Sequence, residues 1–143
     1  MKRILRLTTT LIMLLFAVAC SDSESAENRR SSAEPGAAPI FRSISPQEAR
    51  SLMASRKDLV LVDVRSPEEL REGSIPGSQR IPMGELARGR MSVPEGKPLL
   101  LICAVGGRSY AVGQYFSHKG YKEIYNLSGG ISAWKAAGLP LQR

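Results

Sequence analysis

The stretch LLLICAVGGRSYAVG, residues 99–113, joins an apolar run to a segment with the pattern of a helix. Every side chain of LLLI is aliphatic, which is typical of a strand that is buried on both faces. Cys103 ends the run, Gly106 and Gly107 allow a sharp turn, and Arg108 stands near the expected helix start. A fully buried strand followed at once by a helix predicts an α/β fold with a parallel sheet.

The rest of the chain from residue 40 onward repeats this alternation. Ser45 and Ser66 are each followed by proline, the arrangement of an N-cap and first helical residue, and Glu69 completes a capping box with Ser66. Helices are also expected from residue 107 to Gly120 and from residue 128 to Gly138. Strands are predicted within residues 40–44, 58–65, 97–105 and 122–127, and residues 73–86 are expected to form a loop, a short strand and a turn.

Residues 1–19 have the composition of an export signal. Three basic residues among the first six precede the apolar run LIMLLFAVA at 11–19, which has about half the roughly 20 residues of a membrane span. Cys20 follows Ala-Val-Ala and resembles the lipobox of bacterial lipoproteins, which implies cleavage before Cys20 and its lipidation. The alternative is an ordinary cleaved signal peptide in which Cys20 has no role.

Residues 21–39 contain no leucine, valine, isoleucine or aromatic residue, so they are expected to form a disordered tether. The predicted organisation is a lipoprotein signal peptide at 1–19, a lipidated Cys20 with its tether at 20–39, and one domain at 40–143. The lipoprotein resemblance implies a bacterial envelope protein that faces the periplasm. Ser21, rather than an aspartate, favours the outer membrane.

Composition and charge exclude several function classes. The formal net charge of the 143 residues is +7, and it falls to +4 once residues 1–19 are removed with their three positive charges. This mild balance, the absence of a long Lys/Arg run and the 6% aromatic content give nucleic-acid binding little support. One histidine and two cysteines are too few for a four-ligand zinc site or a disulfide-rich scaffold. We therefore expect neither a metal nor a cofactor.

Cys103 admits four interpretations: a core thiol, half of a disulfide, a metal ligand or a nucleophile. Parallel sheets bind ligands at the carboxyl ends of their strands, where Cys103 lies. The following helix start and Arg108 both favour the thiolate over the thiol. We therefore predict a lowered thiol pKa and a nucleophilic role. Pairing with Cys20 is not expected, because that cysteine would be acylated.

Four segments, in order, resemble rhodanese-type sulfurtransferases. CAVGGRS (103–109) is similar to their active-site loop, Cys-x-x-Gly-x-Arg-Ser, and LVDVRSPEEL (61–70) to their strand–Asp-x-Arg–helix entry. EGSIPGSQRIP (72–82) resembles their Gly-His-Ile-Pro-Gly segment, and IYNLSGGISAWKAAGLPL (124–141) their closing Gly-Gly…Trp…Gly-Leu-Pro helix. The resemblance implies the rhodanese-like three-layer α/β fold, a central parallel five-stranded sheet with helices on both faces.

The resemblance also implies covalent sulfur transfer in two steps. The Cys103 thiolate takes the outer sulfur of thiosulfate or a persulfide donor and passes it, as a persulfide, to a thiol or cyanide. The loop amides would hold the anionic sulfur, and Arg108 would help to hold an anionic donor. The expected substrate-binding residues are Ala104, Val105, Gly106, Gly107, Arg108 and Ser109. The expected partners are these small molecules and, through the lipid, a membrane; nucleic acid is not expected, and the chain is expected to be a monomer.

Other functions remain open at this point. Ala104 stands where many active family members carry a basic or polar side chain, which weakens the positive field at the loop. A rhodanese-fold module that carries sulfur or binds a partner with little turnover is therefore the second hypothesis, and a thiol redox role is the third. Phosphatase chemistry is disfavoured, because four residues separate Cys103 from Arg108 where cysteine phosphatases have five.

Two further predictions concern the surroundings of the loop. Asp63 and Arg65 end a strand near the site as its supporting residues, and we interpret them as an ion pair or turn brace rather than as a pair that orients the loop. Trp134 is interpreted as a core anchor. The helix after Cys103 is expected to bury Ala111, Val112, Tyr115 and Phe116.

Overall fold

The computed structural model describes residues 38–143. The predicted signal peptide, Cys20 and most of the predicted tether lie outside the described residues. Within the described part of the chain, no helix combines the length and hydrophobicity needed to cross a membrane.

Five strands and five helices make up the described part of the chain. The strands are β1 (Ile40–Ile44), β2 (Val60–Asp63), β3 (Gln79–Arg80), β4 (Leu99–Ile102) and β5 (Glu123–Leu127). The helices are α1 (Pro46–Ser55), α2 (Pro67–Leu70), α3 (Met83–Ala87), α4 (Gly107–His118) and α5 (Gly130–Ala136). All strand pairs are parallel and the order is β1-β5-β4-β2-β3, which confirms the predicted five-stranded parallel sheet and places β1 at one edge.

Alternate residues of β4 face two separate cores. Leu100 and Ile102 pack with Trp134 of α5 on one face of the sheet. Leu99 and Leu101 pack with Phe116 of α4 on the other. All four strand residues have no exposed surface, which explains why the run LLLI is apolar at every position.

The two predicted N-caps are present. The hydroxyl of Ser45 accepts from the backbone N–H of Glu48, and that of Ser66 accepts from the backbone N–H of Glu69. The carboxylate of each glutamate in turn accepts from the backbone N–H of its cap residue. Both helices have proline at the first position, where a missing N–H costs nothing. The cap at Ser66 fixes the first turn of α2 and thereby the position of Glu69.

Two sequence-based expectations need correction. Residues 83–87 form the helix α3 and not a turn, since a single helical turn is too short to show a periodic apolar pattern. In α4, Val112 and Phe116 are buried as expected, but Ala111 is exposed and Tyr115 is 55% exposed. The buried stripe instead includes Gly113, because Phe41 of β1 lies where a side chain at that position would extend.

Candidate functional site

The loop after β4 is held in place by the start of α5. Cys103 follows β4 directly and is completely buried. The Ile131 N–H donates to the Cys103 carbonyl at 2.8 Å, and the Ser132 N–H donates to the Ala104 carbonyl at 3.1 Å. A Cβ at Gly130 would lie 2.3 Å from the Cys103 carbonyl oxygen, so this close approach requires glycine. With these carbonyls bound to α5, the amides that follow in the loop can face the sulfur.

Gly106 donates the shorter of the two hydrogen bonds to Cys103 Sγ. Its N–H donates to Cys103 Sγ at 3.1 Å. Its φ of +95° is left-handed, and a Cβ there would lie 3.1 Å from the Leu127 carbonyl oxygen, so only glycine adopts this geometry without strain. The helix α4 begins at the next residue, Gly107, as the sequence predicts, which adds the positive end of its dipole.

The sulfur environment favours the thiolate. Burial raises the pKa of the Cys103 thiol, but hydrogen bonds from the Ser109 hydroxyl and from the amides of Ser109, Val105 and Gly106 outweigh it. The net pKa therefore lies below the ordinary value of a thiol. This direction agrees with the expectation from the sequence, and a thiolate is the reactive form of cysteine.

We expect replacement of Ser109 by alanine to raise the thiol pKa. The Ser109 hydroxyl lies 3.3 Å from Sγ, and its loss removes the side-chain hydrogen bond that most strongly favours the thiolate. The pH midpoint of alkylation of Cys103 by iodoacetamide should move upward by about one pH unit. Ser117→Ala, in the last turn of the same helix, is the control and should leave the midpoint in place. An unchanged midpoint in Ser109→Ala would show that the hydroxyl does not act on the sulfur.

A buried polar residue that the sequence analysis missed lies behind this serine. Asn126 of β5 is 4% exposed, and its Oδ1 lies 2.6 Å from Ser109 Oγ, where it competes with Cys103 Sγ for the single hydroxyl proton. Its amide nitrogen donates to the Ser43 hydroxyl of β1 at 3.0 Å. The available signal was an asparagine inside the apolar strand IYNL, because a buried amide must find hydrogen-bond partners.

Arg108 is bound to an acidic partner that the sequence analysis recognised only as a helix cap. Its guanidinium contacts both carboxylate oxygens of Glu69, and the distance from Arg108 Nη1 to Glu69 Oε2 is 2.8 Å. The backbone N–H of Ser66 donates to Glu69 Oε2 at 3.0 Å. The hydrogen bonds from Arg108 and then from Ser66 lower the pKa of Glu69 to about 2, so this carboxylate stays ionised at neutral pH.

The supporting pair, Asp63 and Arg65, forms a buried brace. Arg65 Nη2 lies 2.7 Å from Asp63 Oδ2, and both side chains are at most 1% exposed. Arg65 also donates to the carbonyls of Glu69 and Gly73. The geometry agrees with the interpretation as an ion pair and turn brace. It acts on the sulfur loop only indirectly, by fixing the backbone of the residue that binds Arg108.

The remaining residues of interest are placed as follows. Ala104 is half-buried and Val105 is 68% exposed, so the outer side of the loop is formed by apolar side chains. Trp134 is 1% exposed, and its ring N–H donates to the Pro140 carbonyl, as suits a core residue. Among residues 38–143, no three histidine, cysteine, aspartate or glutamate side chains cluster closely enough to hold a metal ion.

Known proteins are similar to this chain in sequence and in fold. Residues 45–137 match the family model described as "Rhodanese-like domain". A sulfurtransferase from Allochromatium vinosum is 34% identical, over 71% of this chain and 95% of that protein. A thiosulfate sulfurtransferase GlpE from Pseudoalteromonas translucida is 30% identical, over 68% and 91%. Among solved structures, a rhodanese-related protein from Thermoplasma volcanium is similar with a TM-score of 0.63 and 34% identity, over 71% of this chain and 97% of that one.

Proposed function

The chain belongs to the rhodanese-like domain family, and we propose that it transfers sulfane sulfur through a persulfide on Cys103. The observation that carries the proposal is the environment of Sγ, which accepts hydrogen bonds from the Gly106 amide and the Ser109 hydroxyl. These donors favour the nucleophilic thiolate over the thiol. The same donors would stabilise the negative charge of a persulfide bound there.

The first half-reaction loads the cysteine. The Cys103 thiolate attacks the outer sulfur of the donor, a new S–S bond forms, and the bond between that sulfur and the rest of the donor breaks. With thiosulfate the leaving group is sulfite, and with an organic persulfide it is a thiolate. The electron pair of the broken bond leaves with that group.

The second half-reaction returns the free enzyme. A thiolate or cyanide attacks the outer sulfur of the Cys103 persulfide, and the S–S bond to Sγ breaks. The acceptor becomes a persulfide or thiocyanate, and Sγ leaves as a thiolate. Because the hydrogen bonds to Sγ stabilise this thiolate, they also make Cys103 a good leaving group.

Mass spectrometry of the intact protein tests the proposal. After incubation with a sulfane-sulfur donor, the protein should gain one sulfur atom, and peptide mapping should place it on Cys103. The added sulfur should be lost on treatment with cyanide, which would appear as thiocyanate. A protein that gains no sulfur from either thiosulfate or an organic persulfide would contradict the proposal.

A carrier with little turnover is the second candidate. It is favoured by the pairing of Arg108 with Glu69, which leaves that guanidinium less able to bind an anionic donor. A carrier would form the same persulfide on Cys103 but release it slowly to small thiols and cyanide. Multiple-turnover rates therefore separate the two candidates.

We also propose that the protein is exported and anchored to a bacterial envelope membrane through Cys20. The support is the sequence pattern alone: a basic start, the short apolar run at residues 11–19 and a cysteine directly after Ala-Val-Ala. Partitioning of the full chain and of a Cys20→Ala variant between detergent and aqueous phases tests this placement.

A further inference from the structure

The guanidinium beside the sulfur loop is already neutralised by an acidic residue. From this pairing we infer that the site takes its sulfur from an organic persulfide in preference to the thiosulfate dianion. The inference rests on the proposed persulfide function and names the donor class of the same site. Its support is a set of contacts between α2 and α4 that the sequence pattern did not reveal.

The ion pair between Arg108 and Glu69 has a two-point geometry, and further hydrogen bonds fix Glu69. Both nitrogens at the end of Arg108 contact the two oxygens of Glu69, which is the two-point geometry that suits a guanidinium and a carboxylate. The Ser66 N–H fixes one of these oxygens, and Arg65 donates to the Glu69 carbonyl at 3.2 Å. Glu69 is thus positioned by its own helix cap and by the buried brace. The pair is 40% exposed at Arg108 and 33% exposed at Glu69, so an incoming donor can reach it.

The single positive charge of Arg108 therefore lies near two groups that can be negative, the Glu69 carboxylate and the Cys103 thiolate. The hydrogen bonds that Arg108 donates to Glu69 raise the pKa of Arg108 most, and the nearby Cys103 thiolate raises it further. With Glu69 ionised and Cys103 as a thiolate, these three groups sum to one negative charge. Residues 104–107 of the loop are Ala, Val, Gly and Gly, so they add no charged side chain.

This balance affects the two donor classes differently. Thiosulfate brings two negative charges on a small ion toward three side chains whose charges sum to one negative charge, and Coulomb repulsion from them opposes its approach. The loading step then gives a Cys103 persulfide anion and sulfite, with three negative charges before and after. An organic hydropersulfide reacts as its protonated form, R–S–SH, which brings no charge at its reacting sulfur. The thiolate takes the outer SH group, R–S⁻ leaves, and one negative charge is present before and after.

The matched pair Glu69→Gln and Glu68→Gln tests the inference. Glutamine at 69 retains an oxygen that can accept the Ser66 N–H but removes the charge that neutralises Arg108. Glu68 is the preceding residue of α2, is exposed, and loses the same charge in its variant. The probes are thiosulfate and cysteine hydropersulfide, with loading rates measured for both at the same pH. The readout is the ratio of the two kcat/KM values, because a changed thiolate population alters both rates alike and cancels in the ratio.

We expect wild type to favour the hydropersulfide and Glu69→Gln to raise the thiosulfate-to-hydropersulfide ratio about tenfold. Glu68→Gln should leave the ratio within about twofold, because Glu68 is exposed and water and salt screen its charge. Added salt should raise the rate with thiosulfate in wild type, since it screens a repulsion, and should do so less in Glu69→Gln.

A second variant gives the same test without touching the cap. Ala104→Lys places a cation beside the sulfur and should raise the same ratio while Glu69 and Ser66 stay in place. A ratio that is unchanged in both Glu69→Gln and Ala104→Lys, with Cys103 still loaded by the hydropersulfide, would overturn the donor preference and leave the proposed function standing. Failure of both donors to load Cys103 in wild type would overturn the proposed function itself.

Discussion

Replacing Cys103 by serine is expected to lower sulfur transfer by more than about a thousandfold and to leave the fold intact. The proposed mechanism stores the transferred sulfur on Sγ, and a serine hydroxyl at neutral pH is neither ionised nor able to form a stable persulfide. Serine is close to cysteine in size, and its hydroxyl can accept the N–H bond that Gly106 now gives to Sγ. The measurement is thiocyanate formation from a sulfane-sulfur donor and cyanide.

Two controls make this result specific to Cys103. The thermal melting of Cys103→Ser should match that of wild type within a few degrees, which shows that the loss is chemical. Cys20→Ala removes the other cysteine of the chain and should retain the transfer activity. Transfer that persists in Cys103→Ser would mean that another group carries the sulfur.

The second large effect concerns stability and not chemistry. Asp63→Ala should lower the free energy of unfolding by about 3–5 kcal/mol, because it leaves the buried guanidinium of Arg65 without its counter-charge. Arg65 is 1% exposed and cannot turn into solvent without opening the contacts around α2. For a domain of this size, the loss is a large share of the usual 5–15 kcal/mol of total stability. Urea unfolding followed by circular dichroism measures it.

An exposed ion pair serves as the comparison. Lys135 and Glu72 are 3.0 Å apart, and their side chains are 39% and 70% exposed. Removing this carboxylate by Glu72→Ala should change the free energy of unfolding by less than about 1 kcal/mol, since surface ion pairs are screened by water and salt. If Asp63→Ala were as mild as Glu72→Ala, the interpretation of Asp63 and Arg65 as a structural brace would be wrong.

The fold could be predicted from local patterns with few errors. The apolar runs of β2 and β4 and the two Ser-Pro helix starts each carry their own signal, because propensity and capping act within a few residues. The helix α3 was not predicted, because its five residues are too few to show a periodic apolar pattern. The inner face of α4 was also misjudged, because Phe41, from a distant part of the chain, decides which side of the helix has room.

The candidate site also has one part that local sequence patterns predict and another part that they do not. A cysteine at the end of a buried strand, two glycines and a helix start are adjacent in the chain, so the sequence by itself predicts Cys103 as the nucleophile and backbone amides beside its sulfur. Ser109, six residues on, could be included for the same reason. These features depend on short-range backbone geometry, which the order of residues specifies directly.

Only the tertiary structure decided what surrounds these residues. Glu69 reaches Arg108 across 39 positions of the chain, and Asn126 reaches Ser109 across 17, because the parallel sheet brings α2, α4 and β5 to one edge. From the sequence alone, Arg108 is expected to be a cation that helps to hold an anionic donor. In the folded protein it is half of an ion pair. Charge at a site is a sum over neighbours in space, so the donor preference inferred for Cys103 depended on a partner that no local motif specifies.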